Sequence, residues 1–319
     1  MPTFAYNGSL IVTLTVNPAI DRNVSVDQLV FEDRAYILDT HESAGGRGIN
    51  ASCVIHFFGG KTLAIAPVGG ESGKRLEKFL CVCGFPFQVV PTRHEVRSNL
   101  TITDKQGLTI KLNEAGAPLE PAEIDAVKQT VLGKLEGATW LMLCGSLPPG
   151  ASGSFYAELI RAARSRGVQT LLDTDGDALL HAMEANPTVV APNQQEAERL
   201  LNRALITRPH FREAAGRIQA MGPESAVVSL GARGAVATDG RTILEVVPPR
   251  VDAVCPIGAG DALAAAFVWA RSTGKEFRDA VRWGVAAGSA SACLPGLRFA
   301  SLDQTREVYD RVEVREGLL

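Results

Sequence analysis

The chain has 319 residues, of which 46% are hydrophobic and 21% are charged, and its formal net charge is −3 at pH 7. This composition is typical of a globular protein, and the length is sufficient for a large buried core. A slightly acidic chain without a dense basic run is not expected to bind nucleic acid. The N-terminal segment has no basic stretch before an apolar one, so we predict neither a signal peptide nor a membrane span.

The cysteines and histidines are not spaced like metal ligands. The six cysteines, at positions 53, 81, 83, 144, 255 and 293, include no CxxC pair, and the five histidines lack metal-ligand spacing. Most of the cysteines lie in apolar stretches, so we expect buried free thiols. Free thiols persist in a reducing compartment, which predicts a cytoplasmic protein.

Short strand-like segments alternate with amphipathic helical segments along most of the chain. Strands are predicted at 10–16, 62–66, 140–144, 170–173, 188–191 and 226–230. Helices are predicted at 49–58, 121–135, 154–166 and 211–221. This alternation predicts an α/β fold in which helices cover both faces of a mostly parallel sheet. Ligands are expected outside the carboxyl ends of such strands.

Two segments depart from the alternation. Residues from about 24 to 40 and from about 88 to 112 look extended, with no crossover helix between short strands. We expect them to form a small second sheet over the substrate end, as a lid within a single domain that spans residues 1–319. Residues 235–239 and 243–247, around Asp239-Gly240, predict a β-hairpin.

The most informative motif is Gly258-Ala259-Gly260-Asp261, which leads into an Ala-rich helix. Glycines at a helix N-terminus let its free N–H groups approach an anion closely. A carboxylate beside such an anion hole suits phosphoryl transfer to an alcohol, because Asp261 can accept the hydroxyl proton. An ordinary helix cap would also contain these residue types, so the motif alone leaves both interpretations open.

Three further motifs stand at strand ends or helix starts. The run GGRGIN (45–50) fits a dinucleotide fingerprint poorly and suits a sugar-binding loop better. Asp21, just after the first strand, could take two sugar hydroxyls or close an Asx turn. Asn193 and Glu196 share one face of a helical turn, where they could hold a hydrated Mg²⁺ near a triphosphate or form a capping box. A P-loop pattern is missing from the sequence, which excludes a P-loop kinase.

Six motifs together carry a resemblance that none of them carries alone. In chain order they are NPAID (17–21), GGRGIN (45–50), GSLPPG (145–150), PNQQE (192–196), SLG (229–231) and GAGD (258–261). This series resembles the PfkB branch of the ribokinase-like sugar kinases, from about residue 11 to residue 311. The resemblance is to its phosphosugar members, which include minor-type 6-phosphofructokinases, 1-phosphofructokinases and tagatose-6-phosphate kinases.

The resemblance implies an ATP-dependent kinase with a ribokinase-like fold, a β-sheet lid and a homodimer formed through the lid. It implies Asp261 as the general base and Gly258, Ala259 and Gly260 as the anion hole. ATP and Mg²⁺ are the implied cofactors, and K⁺ is considered as a third. The remaining implied contacts are the sugar at Asp21, Gly46, Asn50 and Ser146, the nucleotide at Ser229 and Gly231, and Mg²⁺, through water, at Asn193 and Glu196.

Three arginines favour an acceptor that already carries a phosphate. Arg34 and Arg97 lie in the two lid segments, and Arg47 lies in the glycine loop. Arginine binds phosphate through a planar fork, although each of the three could also be a solvated surface charge. The chain departs from the family pattern at Ala191, where members commonly have a Lys that reaches the nucleotide phosphates, and at Tyr36, where minor-type 6-phosphofructokinases have a basic residue.

The sequence therefore predicts a phosphofructokinase-type enzyme. It would transfer the γ-phosphoryl group of MgATP to a primary hydroxyl of fructose 6-phosphate or fructose 1-phosphate. Tagatose 6-phosphate is an alternative acceptor. A non-catalytic sugar-phosphate sensor on the same fold is an alternative to an enzyme, which the alanine at position 191 makes conceivable.

Overall fold

The computed structural model describes residues 9–30 and 32–318 and contains two β-sheets. The strands are β1 (Leu10–Thr15), β2 (Ala19–Val26), β3 (Ile37–Gly45), β4 (Thr62–Gly69), β5 (Phe87–Thr92), β6 (Arg97–Asp104), β7 (Thr109–Asn113), β8 (Ala138–Cys144), β9 (Gln169–Asp173), β10 (Val189–Val190), β11 (Ser225–Ser229), β12 (Ala235–Thr238), β13 (Thr242–Val247) and β14 (Glu313–Leu318). The helices are α1 (Arg47–Phe57), α2 (Gly70–Cys83), α3 (Pro121–Gly133), α4 (Phe155–Arg164), α5 (Gly176–Met183), α6 (Gln194–Leu201), α7 (Arg208–Ala220), α8 (Ala259–Ser272), α9 (Phe277–Ala292) and α10 (Leu302–Tyr309).

The large sheet has ten strands in the order β14-β13-β12-β11-β10-β9-β8-β1-β4-β5. From β5 to β11 neighbouring strands are parallel, and β12, β13 and β14 continue the sheet with antiparallel pairing. On β1, Val12 and Leu14 join one hydrophobic cluster, whereas Ile11 joins a different one. This alternation lets helices pack on both faces, as the sequence pattern predicts, so the predicted fold class is confirmed.

The small sheet has four strands in the order β3-β2-β6-β7. It draws on both extended segments, but its bounds differ from the expected ones. Residues 88–92 belong to β5, at the edge of the large sheet, because Val90 is buried in the main core there. The first extended segment gives two strands, β2 and β3, which reach back to Ala19 and forward to Gly45, beyond the expected 24–40.

Other local predictions have mixed outcomes. The hairpin forms as expected, with Gly240 at φ 83° in the turn between β12 and β13. The strand predicted at 188–191 is reduced to Val189–Val190.

All six thiols are free, but only Cys144 is fully buried, so the expectation of mostly buried cysteines was wrong. Among the described helices, none has both the length and the apolar character needed to cross a bilayer.

Close backbone contact holds α1 against β1. A Cβ atom added to Gly48 would lie 2.6 Å from Thr15 Oγ1 and 2.8 Å from the carbonyl oxygen of Leu14. A side chain of any size would therefore push the first turn of α1 away from the strand.

We predict that Gly48→Ala destabilises the protein, by about 1–3 kcal/mol as is usual for overpacking. The matched control is Gly133→Ala at the end of α3, where an added Cβ would contact nothing and alanine favours the helix. The measurement is the urea midpoint of each variant. Similar midpoints for the two variants would contradict the close packing of α1 on β1.

Candidate active site

A cavity of about 450 Å³ lies between the carboxyl ends of the large-sheet strands and the small sheet. Its walls come from the starts of α1 and α8, from the segments after β1 and β8, and from β2, β6 and β7. The predicted site residues that line it are Asp21, Gly46, Arg47, Asn50, Arg97, Ser146, Gly258 and Asp261. Residues that the motifs place far apart in the chain therefore meet at one cavity.

Asp261 lies in the first turn of α8, and a second helix holds its carboxylate. Gly258 precedes the helix at φ 80°, a left-handed conformation that glycine adopts without strain. The Nδ2 atom of Asn50, on α1, donates a hydrogen bond of 2.7 Å to Asp261 Oδ2. The other carboxylate oxygen, Oδ1, accepts no hydrogen bond from the residues that the structure describes. One oxygen of Asp261 is thus anchored and the other is available.

The turn that leads into α8 has several backbone N–H groups without an acceptor. The N–H of Ala259 donates to the carbonyl of Pro256 at 3.2 Å, which closes the turn before α8. The N–H groups of Gly258, Gly260 and Asp261 have no acceptor within the described part of the chain. A Cβ atom on Gly260 would contact nothing, so this turn is open to an approaching group. Of the three residues expected to form the anion hole, Gly258 and Gly260 offer free N–H groups and Ala259 does not.

The surroundings of Asp261 raise its pKa to about 7. Burial has the largest effect because it disfavours the charged form, and the nearby carboxylates of Asp173 and Asp21 raise the pKa further. The guanidinium of Arg47 and the hydrogen bond from Asn50 act in the opposite direction. The result is a carboxyl group that can exchange a proton near neutral pH, as a general base must.

Arg47, the first residue of α1, is held by acidic side chains from other elements. Its Nη1 donates to Asp173 Oδ1 at 2.7 Å and its Nη2 donates to Glu196 Oε1 at 3.0 Å. Asp175 Oδ2 lies 3.7 Å from Nη2. The negative charge of Asp173 is the main reason that the pKa of Arg47 is raised, so the side chain stays charged. The sequence reasoning missed Asp173, although it ends a predicted strand at the edge where ligands are expected.

On the small-sheet side, Asp21 and Arg97 are also fixed by neighbours. Asn99 donates to Asp21 Oδ1 at 2.8 Å, and burial raises the pKa of Asp21. The guanidinium of Arg97 donates to the carbonyl of Glu114 at 2.7 Å and to that of Asn17 at 3.1 and 3.2 Å. The sequence motifs assign no role to Asn99, Asn17 or Glu114, because the positions of these partners depend on strand pairing.

Lys111 also lines the cavity, from β7. It lies in the second predicted lid segment, but the sequence does not mark it as a ligand, because a lysine in a polar alternating strand resembles a solvated charge. Lys111 and Arg97 place two cationic groups on the same side of the cavity.

Arg34 does not reach the cavity. It is exposed in the connection between β2 and β3, where its backbone N–H donates to Asp33 Oδ1. The expectation that Arg34 converges with Arg47 and Arg97 on one site is therefore wrong for the site that this chain forms by itself. The strand β2 carries the chain away from the cavity before Arg34 is reached.

The residues expected on the nucleotide side lie at the ends of β10 and β11. Asn193 and Glu196 form a capping box at the start of α6: the Glu196 N–H donates to Asn193 Oδ1 at 2.9 Å, and the Asn193 N–H donates to Glu196 Oε2 at 2.8 Å. Ser229 pairs with Asn193 through a β-bridge, and Gly231 follows at φ 60°. These residues do not line the cavity, but Glu196 is joined to it through Arg47. Within residues 9–30 and 32–318 there is no group of three or more His, Cys, Asp or Glu side chains arranged to hold a metal ion.

Comparisons with known proteins agree with this geometry. The pfkB family carbohydrate kinase model matches residues 11–304. The chain belongs to the pfkB family of carbohydrate kinases. It is 34% identical to ATP-dependent 6-phosphofructokinase isozyme 2 of Escherichia coli over 302 residues, which cover 94% of this chain and 97% of that protein. It is 32% identical to 1-phosphofructokinase of Rhodobacter capsulatus over 274 residues, covering 85% of this chain and 87% of that protein.

A solved structure supports the same conclusion. Phosphofructokinase-2 from Escherichia coli in complex with fructose-6-phosphate matches with a TM-score of 0.87 and 34% identity, covering 95% of this chain and 98% of that one. The predicted family, the ribokinase-like fold and the activity of an ATP-dependent sugar kinase of the phosphofructokinase type are confirmed. Family membership favours an enzyme over the sensor alternative.

For this pfkB kinase we expect kcat/KM to fall as the pH drops below about 7, because Asp261 can accept a proton only when it is ionised. Asp173→Asn removes a negative charge that raises the pKa of Asp261. The acid limb of the pH–rate profile of this variant should therefore move to lower pH. The measurement is the pH–rate profile of the wild type, of Asp173→Asn and of the exposed control Asp303→Asn. An acid limb at about pH 4, where an ordinary carboxyl titrates, would contradict the prediction.

Proposed function

We propose that the enzyme transfers the γ-phosphoryl group of MgATP to a primary hydroxyl of fructose 6-phosphate. The observation that carries this proposal is the position of Asp261 among free N–H groups of α8, in a cavity whose small-sheet wall holds Arg97 and Lys111. Asp261 and the free N–H groups suit the hydroxyl of a sugar phosphate that reacts. Arg97 and Lys111 suit the phosphate that the sugar already carries.

The chemistry follows from these groups. The sugar hydroxyl oxygen forms a bond to the γ-phosphorus while the bond from that phosphorus to the ADP oxygen breaks. The hydroxyl proton moves to Asp261 Oδ1, which no other described group occupies, while Asn50 holds Oδ2 in place. The N–H groups of Gly258 and Gly260 stabilise the charge on the phosphoryl oxygens. Asp21, fixed by Asn99, is proposed to accept sugar hydroxyls, together with Gly46 and Ser146 at the cavity wall.

Magnesium fits this site as an ion held mainly by the triphosphate. Mg²⁺ neutralises charge on the phosphates and usually keeps several waters, taking few protein ligands. Both carboxylate oxygens of Glu196 already accept hydrogen bonds, one from Arg47 and one from the Asn193 N–H. A contact of Glu196 with Mg²⁺ through a water molecule would leave this helix cap intact. Asp175, which is partly exposed and lines the cavity, is an additional partner for such waters. ATP is proposed to lie beside Ser229 and Gly231; no residue is assigned to potassium.

We also propose that two copies of the chain associate through the small sheet. Its edge strands β3 and β7 and the residue before β3 carry exposed apolar side chains, among them Tyr36, Ile37, Leu38 and Leu112. Exposed edge strands with apolar residues are usually covered in a stable protein. The molecular mass in solution distinguishes a dimer from a monomer.

A cytoplasmic location is part of the proposal. It rests on the six free thiols, which include the exposed Cys81 and would be prone to oxidation outside a reducing compartment.

The proposed function is tested by measuring ADP release with fructose 6-phosphate, fructose 1-phosphate, tagatose 6-phosphate and free fructose. We expect the highest kcat/KM with fructose 6-phosphate and a loss of about 10²–10⁴-fold in kcat for Asp261→Asn, since the amide cannot take the proton. A preference for another sugar phosphate would reassign the acceptor. A preference for free fructose would overturn the phosphosugar proposal, and turnover of Asp261→Asn near the wild-type rate would remove Asp261 from the role of base.

Arg97→Ala should raise the KM for the sugar phosphate by roughly ten- to a hundredfold, because a charge-assisted hydrogen bond contributes about 1.5–3 kcal/mol. The KM for ATP should change little, and Arg97→Lys should restore binding only in part. Lys105→Ala, at the exposed turn between β6 and β7, is the control. An unchanged sugar-phosphate KM in Arg97→Ala would mean that Arg97 only ties β6 to the carbonyls of Asn17 and Glu114.

A further inference from the structure

Arg47 occupies a position that its own helix disfavours. It is the first residue of α1, where the helix dipole is positive and a cation is destabilising. The first turn of α1 contains no acidic residue, and its N-cap residue, Gly46, has no side chain to cap the helix. The compensation comes from other elements, through Asp173, Asp175 and Glu196. A residue that goes against the local preference of its helix and is stabilised by side chains of other elements is typical of a functional position.

The guanidinium is fixed on one side and open on the other. The side chains of Asp173 and Glu196 are only 8% and 2% exposed, whereas that of Arg47 is 30% exposed and lines the cavity. Arginine has five N–H groups, and the two hydrogen bonds to these carboxylates use two of them. The others have no acceptor in the part of the chain that the structure describes. Arg47 can therefore bind an anion without releasing Asp173 or Glu196.

Arg47 is also close to the reacting groups. Asn50 lies three residues further along α1, on the same face as Arg47, and holds the carboxylate of Asp261 at 2.7 Å. Arg47 is near enough to Asp261 that its charge acts on the titration of that carboxyl. The first turn of α1 thus carries both Asn50, which holds the proposed base Asp261, and Arg47, a cation with free N–H donors.

The other cations of the cavity belong to its opposite wall. Arg97 and Lys111 stand on β6 and β7, in the small sheet. Among the described residues that line the cavity, Arg47 is the only basic side chain from the large-sheet part. Ala191, just after β10, brings no charge to that side.

We propose that Arg47 binds the phosphoryl group during its transfer, and that Asp173 and Glu196 are positioning residues that hold its guanidinium. The inference rests on the kinase activity proposed above. No covalent bond forms to Arg47. Its free N–H groups donate to oxygens of the γ-phosphoryl group as the bond to ADP breaks and the bond to the sugar forms, and the hydroxyl proton goes to Asp261.

Kinetics of Arg47→Gln and Arg47→Lys test this role against the control Arg203→Gln, which removes an arginine from an exposed ion pair with Glu213. We expect Arg47→Gln to lower kcat by about 10²–10³-fold, the usual effect of removing one donor to transition-state charge. The KM for the sugar phosphate should change by less than about threefold. Arg47→Lys should keep part of the activity, and Arg203→Gln should behave as the wild type.

A second measurement does not depend on the acceptor. ADP with aluminium fluoride mimics a phosphoryl group in transfer, so the wild type should bind ADP more tightly when the fluoride complex is present. Arg47→Gln should lose this gain while binding ADP alone as before. This measurement also remains valid if the wild type proves inactive with every sugar phosphate, an outcome that overturns the proposed function but not the role of Arg47.

Two results would overturn the inference. If Arg47→Gln raises the sugar-phosphate KM and keeps kcat, Arg47 binds the acceptor phosphate instead. If the variants have lower melting temperatures but keep kcat per folded protein and the gain from aluminium fluoride, Arg47 only stabilises the start of α1.

Discussion

The contact of Arg47 with two buried carboxylates is the interaction on which the rest of the site depends. Asp173 and Glu196 come from β9 and α6, and they are almost completely removed from solvent. Burying two like charges side by side costs several kcal/mol per ion unless a cation and hydrogen bonds compensate. Arg47 supplies both kinds of compensation, and through it the start of α1 is joined to the ends of β9 and β10. Removing the arginine would leave both carboxylates without their partner.

The same arrangement decides the properties of Asp261. Burial and the nearby negative charges favour its protonated form, while Arg47 and Asn50 favour the ionised form. Because these effects come from different elements, the pKa of about 7 is a property of the assembled site. A carboxyl group with this pKa is ionised often enough to accept a proton and basic enough to hold it, which is what transfer to a sugar hydroxyl requires.

Close packing of backbone makes this geometry possible. Gly46 and Gly48 let α1 approach β1, and Gly258 allows the left-handed turn before α8. Both helices therefore start at the carboxyl ends of parallel strands, with their N–H groups toward the cavity. The small sheet completes the cavity from the other side, and its own side chains are held by carbonyl and amide partners, as Arg97 is by Asn17 and Glu114.

Residue order alone predicts the alternation of strands and helices, the glycine turn before α8 and Asp261 as the candidate base. These features depend on residue type and short spacing, which act within one turn or one strand. By contrast, the contacts of Arg47 with Asp173 and Glu196, the place of Arg34 outside the cavity and the pairing of residues 88–92 with the large sheet arise only in the folded chain. Those outcomes depend on which distant strands pair and in what register. Spacing along the chain carries no information about partners that are more than 120 residues apart, such as Arg47 and Asp173.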